Sequence, residues 1–142
     1  MAEAYLNAKQ ANISASSSGT DARNSSNGAI SWYAQRLLQR TFIAQFTYPS
    51  WRKTTKKTLD KADFVVFFGK RNYDVCREKL GFKNRRYEIW DIPDLNPYGY
   101  TSEKPSAELE KRLMEASENI YQQITEEVDQ LARRLNKSGS IQ

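Results

Sequence analysis

A chain that makes or breaks covalent bonds needs a nucleophile, an acid–base group or a metal, and this sequence restricts all three. It has no histidine, which excludes imidazole catalysis, Ser-His-Asp triads and the common zinc sites. Its one cysteine, Cys76, forbids an internal disulfide or a dithiol cycle. At helical spacing with Tyr73 and Leu80, Cys76 reads as a small core residue. Asp94 lies in Pro93-Asp94-Leu95-Asn96-Pro97, a context in which an aspartate can bond its own backbone in a turn. Basic residues gather twice, as Arg52, Lys53, Lys56, Lys57 and Lys61 and then as Lys83, Arg85 and Arg86. With 22 Lys+Arg against 17 Asp+Glu, a net charge of +5 and a pI near 9.3, the chain suits an anionic partner. Trp51 beside the first cluster would fit a nucleic-acid surface. A solvated helix face accounts for the same run without a ligand and is the preferred reading.

The elements that must position these residues fit one domain. At 142 residues and 16.4 kDa there is room for a single core. A 39% hydrophobic and 27% charged composition is that of a folded chain. The longest apolar run, Phe64 to Phe68, falls far short of the roughly 18–20 residues a membrane span requires. No basic-then-apolar leader opens the sequence. The expectation is a soluble, cytoplasmic protein without a membrane partner.

Helix formers run from Met1 to about Lys9. Ile13 to Ser16 suits a short strand, Ser17-Ser18-Gly19-Thr20 a turn, and the Ser/Asn/Asp/Gly-rich residues 16–28 a solvated loop. Helical periodicity returns from Ala29 to Arg40, with Ile30, Tyr33, Ala34, Leu37 and Leu38 on one face. A polar helix is expected from about Pro49 to Lys61, with Trp51, Thr55 and Leu59 inward. Phe64 to Phe68, closed by Gly69, fits a strand buried on both faces. Lys70 to Leu80 is a helix stopped by Gly81, and Tyr87 to Trp90 a second strand that leads into an irregular loop from Asp91 to Tyr100. From Pro105 to about Asn136, apolar residues from Leu109 to Leu135 recur every three or four positions. This long helix is expected to pack on the sheet rather than form a coiled coil. The domain so read covers residues 1–136, and 137–142 form a disordered tail. Alternating strands and helices imply right-handed crossovers and a parallel sheet with helices on both faces.

Four of these segments, in order, resemble the low-molecular-weight protein tyrosine phosphatases, and most closely the branch grouped with thioredoxin-coupled arsenate reductases. Met1-Ala2-Glu3-Ala4-Tyr5-Leu6-Asn7 is similar to the helix after that family's phosphate loop. Ser17-Ser18-Gly19-Thr20 is similar to its Ser-Ala-Gly-Thr turn, with Ser18 in place of alanine. Ala62-Asp63-Phe64-Val65-Val66 with Asn72-Tyr73 is similar to its third strand and next helix. Ile92-Pro93-Asp94, with Pro97 and Tyr98, is similar to its general-acid loop. The resemblance runs from Met1 to about Leu135. It implies an α/β, flavodoxin-like three-layer αβα fold and hydrolysis of phosphomonoesters through a cysteinyl phosphate, or arsenate reduction in the related branch, without a cofactor. It also implies site roles: Asp94 as general acid, Tyr98 and Tyr100 beside a phenyl phosphate, and Asn7, Ser17 and Thr20 supporting the phosphate loop. Asp91 competes for the acid role, although its place directly after the strand favours an aligning one. For Tyr98 and Tyr100 loop packing is the plain alternative, and for Ser17 and Thr20 turn stabilisation.

The departure from the family lies in the nucleophile. Its pattern reads Cys-x5-Arg-Ser-x-Met-Ala-Glu-Ala, and aligned on Met1 both the cysteine and the arginine fall before residue 1. Cys76 cannot replace that cysteine, because the sixth residue after it is Phe82 and no arginine closes a loop there. Arsenate reduction needs several thiols, and one is present. The family's first, central strand is also absent, a loss on the order of 10 kcal/mol from about five buried apolar residues. Whole domains have only about 5–15 kcal/mol of stability. The expectation is therefore a truncated domain, through a misplaced start or a genuine deletion, or one completed by a partner chain that supplies the strand. Such a chain is expected to fold poorly alone and to hydrolyse nothing, its substrate with the loop restored being a phosphorylated or arsenate-like oxyanion. The alternative class is a non-catalytic protein that binds polyanions or a protein partner through its basic faces.

Overall fold

The computed structural model describes residues 1–9, 12–20, 32–48, 52–95 and 105–138. It is a mixed α/β structure, mostly helical, around a short parallel strand pair. In chain order the elements are α1 (Ala2–Lys9), α2 (Trp32–Arg40), a 3-10 turn (Ala44–Phe46), α3 (Lys56–Lys61), β1 (Val65–Phe68), α4 (Lys70–Leu80), β2 (Tyr87–Trp90) and α5 (Ala107–Ser138).

β1 and β2 pair in register from Val65 opposite Tyr87 to Phe68 opposite Trp90. Alternation of side chains along a strand sends them into two separate clusters. Val66, Phe68 and Trp90 meet Tyr5 and Leu6 of α1 and Ile120, Ile124, Val128, Leu131 and Leu135 of α5. Val65, Phe67 and Tyr87 meet Leu59 of α3, Tyr73, Cys76 and Leu80 of α4, and Phe82. The second cluster is largely aromatic: Phe67 and Phe82 meet edge-on at 5.1 Å, and Tyr73 stacks on Tyr87 at 4.9 Å. Phe67 is buried, whereas Val65, Val66 and Phe68 are partly exposed, so the apolar run is less enclosed than expected.

The long helix packs on the sheet as its periodicity predicts, over its second half. Gln123 Nε2 donates to the carbonyl of Asp91 just beyond β2, and Arg134 pairs with Glu88 near the start of β2 at 2.5 and 2.7 Å. α5 therefore runs antiparallel to the strands. Its first half extends past their carboxyl ends, where α2 packs against it through buried Leu37 and Leu38. Arg36 and Arg40 of α2 there share Glu118 of α5. α1 is sealed to the far half of α5 by Tyr5, whose hydroxyl donates to the Asp129 carboxylate at 2.9 and 3.0 Å.

Three boundaries differ from expectation. The polar helix begins at Lys56, because Thr55 and Thr58 form a reciprocal capping box that starts it there, and Thr54 bonds across to Gly19 instead. Residues 13–16 form no ladder; a single parallel bridge follows them, from Gly19 to Lys53. α5 continues through Lys137 and Ser138, which the sequence reading assigned to the tail. Helix ends follow two rules. Gly81 closes α4 at φ +69°, the left-handed conformation glycine adopts at little cost. α2 also ends on a left-handed residue, here Phe42 at φ +60°, with Phe42 N–H bonded to the Gln39 carbonyl at 3.1 Å and Ile43 N–H to the Leu38 carbonyl at 2.9 Å.

Candidate functional site

Two residues one helical turn apart on α1, Glu3 and Asn7, organise the carboxyl-end side of the sheet. The Asn7 side chain behaves like a neighbouring strand toward Ala15: its Oδ1 accepts from Ala15 N–H at 2.7 Å and its Nδ2 donates to the Ala15 carbonyl at 2.9 Å. The same amide reaches the Phe46 carbonyl at 3.1 Å. The side chain thereby satisfies both backbone groups of Ala15, as a strand partner would have done.

Glu3 is 7% exposed and accepts three hydrogen bonds, each of 2.8 Å, from Ser17 Oγ, Thr47 Oγ1 and Arg52 Nη2. A buried carboxylate persists only when paired and hydrogen-bonded in this way. Arg52 also donates Nε to the Ser17 carbonyl at 3.2 Å and lies over the Tyr48 ring at 4.7 Å. Ser18 shares a 2.7 Å hydroxyl contact with buried Thr54. Thr20 Oγ1 donates to Asn72 Oδ1 at 2.8 Å, and Asn72 Nδ2 donates to the carbonyl of Phe68, the last residue of β1, at 2.6 Å. The chain Thr20–Asn72–Phe68 thus ties the 17–20 segment to the carboxyl end of β1.

Asn7, Ser17 and Thr20 all join this polar frame, each bonded within the protein. Asp94 lies just beyond β2 and is exposed; its Oδ1 accepts from the N–H of the next residue, Leu95, at 2.7 Å. Ile92 and Leu95 on either side of it pack into the α1–α5 cluster, which anchors the loop by its apolar residues. Tyr98, Tyr100 and Trp51 lie outside the described residues. Cys76 is 1% exposed within the α3–α4 cluster, and burial raises its thiol above the ordinary value of 9.0. That makes it a packed thiol rather than a nucleophile. Among the described residues, Trp90 Nε1 is buried without an acceptor, its ring stacked on Phe68 at 5.8 Å.

Glu3, Arg52, Thr54 and Asn72 were not singled out in the sequence as site residues. Asn72 was quoted within a motif and Arg52 within a basic cluster, and Glu3 stood out as the one carboxylate in the first helix. Its partners stand 14, 44 and 49 residues away, beyond the reach of any spacing argument. The frame is a preorganised scaffold of carboxylate, amide and hydroxyl groups, and no thiol lies within it among the described residues. No protein-family model matches this chain, and neither does any curated protein or solved structure.

Proposed function

We propose that this chain is the greater part of a low-molecular-weight tyrosine phosphatase-like domain, a flavodoxin-like three-layer αβα scaffold whose chemistry is phosphomonoester hydrolysis. In this reading Asp94 protonates the leaving oxygen, and Asn7, Ser17 and Thr20 brace the loop that holds the phosphoryl group. The nucleophilic cysteine and its arginine are not among these 142 residues, so the chain by itself does not hydrolyse phosphate esters.

The observation that carries the reading is the polar frame at the carboxyl end of β1. Open α/β sheets take their ligands outside the carboxyl ends of the strands, and the Thr20–Asn72–Phe68 chain lies there, in the same segment whose Ala15 is clamped by Asn7. The distribution of β1 and β2 side chains between two helix clusters supports the layering.

The test is a pair of assays with p-nitrophenyl phosphate. The chain alone is expected to be inert. A chimera with an apolar strand and a Cys-x5-Arg-Ser loop joined ahead of Met1 is expected to turn over, and Asp94→Asn in that chimera to lower the rate by about 10²–10⁴-fold. Turnover by the chain alone that survives both Cys76→Ser and Asp94→Asn overturns the proposal, as does a chimera that folds cooperatively and remains inert.

A further inference from the structure

Lys56, Lys57 and Lys61 of the first basic cluster and Lys83, Arg85 and Arg86 of the second, separated by more than twenty residues in sequence, form one surface at the end of the sheet opposite the polar frame, to which Arg52 of the first cluster belongs. α3 lies against the turn after α4: Lys56 Cε stands 3.8 Å from where a Cβ on Gly81 would be, and Leu59 packs with Phe82. The turn is held to the same end of the sheet. Asn84 Oδ1 accepts from Arg86 N–H at 2.9 Å, Asn84 Nδ2 reaches the Ala62 carbonyl at 3.5 Å, and the Arg86 carbonyl accepts from Val65 N–H at the start of β1 at 3.1 Å.

Residues 56–63 and 79–86 carry seven cationic side chains, Lys56, Lys57, Lys61, Lys79, Lys83, Arg85 and Arg86, and two carboxylates, Asp60 and Asp63. The surplus of five equals the net charge of the whole chain, so the remaining residues are neutral in sum. All seven cations are exposed, and among the described residues only Lys56 has a carboxylate partner, Asp60 at 2.6 Å. The apolar side chains of the two segments point inward: Leu59 and Phe82 are buried, and Leu80 packs in the α3–α4 cluster.

We propose that this face binds the phosphate backbone of nucleic acid without reading sequence. A concentration of cations with no outward apolar anchor lacks the desolvated centre of a protein interface and the apolar wedge of a membrane-surface helix. Phosphate contacts need neither, because release of condensed counterions drives the association. Arg85 and Arg86 add guanidinium forks that fit phosphate oxygens. The proposal uses no residue of the polar frame, so it stands or falls independently of the phosphatase-like reading.

The test is fluorescence anisotropy of the full chain with labelled 20-nucleotide single-stranded RNA and duplex DNA of mixed sequence, across a salt series. The two probes distinguish which nucleic acid supplies the phosphates. Arg85→Glu/Arg86→Glu and, on the other segment, Lys57→Glu/Lys61→Glu are compared with Lys111→Glu/Arg112→Glu, which makes the same charge change near the start of α5. Circular dichroism confirms that each variant is folded. Loss of two phosphate contacts is expected to make the logarithmic salt slope shallower by about 1.4 on a single strand or about 1.8 on a duplex. Affinity at low salt should fall by about tenfold or more for either patch variant and change less than about twofold for the α5 variant. Equal weakening by all three variants would reduce the effect to net charge and overturn the proposal. Absence of binding at 50 mM salt, or tighter binding to phosphatidylserine vesicles than to either nucleic acid, would do the same.

Discussion

Phe42 offers the most exposed wager in the structure, because removing a large aromatic is expected to stabilise the protein. It occupies the left-handed position that closes α2, at φ +60°, where a side chain crowds the following carbonyl. That crowding costs about 1–2 kcal/mol for a residue other than glycine. The ring is 82% exposed, so little packing is lost with it. Glycine at this site restores the favoured residue of the terminating turn but raises the entropy of the unfolded chain by about 0.4–1 kcal/mol. The difference is a net gain of about 0.5–1 kcal/mol for Phe42→Gly. A chain of this length has an unfolding entropy of about 0.3 kcal/mol/K, so Tm should rise by about 2–3 °C. Phe42→Ala keeps a β-carbon in the strained position and is expected to be nearly neutral. Urea and thermal melts of the three proteins, followed by circular dichroism, decide the matter. A Phe42→Gly variant less stable than the parent, with unchanged denaturant dependence, would refute the reasoning and show that the ring is packed against something.

Other perturbations follow from the same geometry. Glu3→Gln leaves Arg52 facing a neutral amide. Because the Arg52 side chain is 34% exposed, the loss should fall below that of a fully buried pair, at about 2 kcal/mol in a urea melt; a loss under 0.5 kcal/mol would dissolve the knot as a stabilising feature. Trp90→Phe deletes an indole N–H that has no acceptor and should cost less than about 1 kcal/mol, whereas Trp90→Ala opens a cavity and should cost about 3–5 kcal/mol; similar losses in calorimetry would contradict the orphaned donor. Burial raises the Cys76 thiol, so its contribution to stability is complete below pH 9 and is lost as pH rises through the elevated folded value. Accordingly, Ellman's reagent should react with the native protein at pH 8 only as fast as the protein unfolds, and an immediate stoichiometric reaction would rule out the packed thiol.

Legibility of the fold in the sequence varied with the range of the interactions involved. The apolar run ending at Gly69, the stop at Gly81 and the periodicity of α5 are local signals, and the corresponding elements formed within two residues of expectation. The start of α3 was misplaced because Thr54 and Thr55 have competing partners, one across to Gly19 and one along the helix to Thr58. Residues 13–16 look like a strand by composition, but Asn7, six residues upstream of the stretch, supplies a side-chain substitute for a strand partner. In the candidate site, Asn7, Ser17 and Thr20 were read from resemblance, while Asn72 was quoted only as part of a motif. Its role depends on reaching both Thr20 and the end of β1, a meeting that only the folded chain creates.

The seal between α1 and α5 sets an order on folding during synthesis. Tyr5 and its acceptor Asp129 are 124 residues apart, as are Asn12 and its partner Asn136. A ribosome adding about 5–20 residues per second needs roughly 6–25 s to make the second member of each pair after the first. Throughout that interval α1 has emerged without the helix that covers Tyr5, and the sheet face carrying Val66 and Phe68 lacks the α5 side chains that cover it. α1 is thus made long before it can dock, and the nascent chain presents an uncovered apolar surface to chaperones until α5 leaves the exit tunnel.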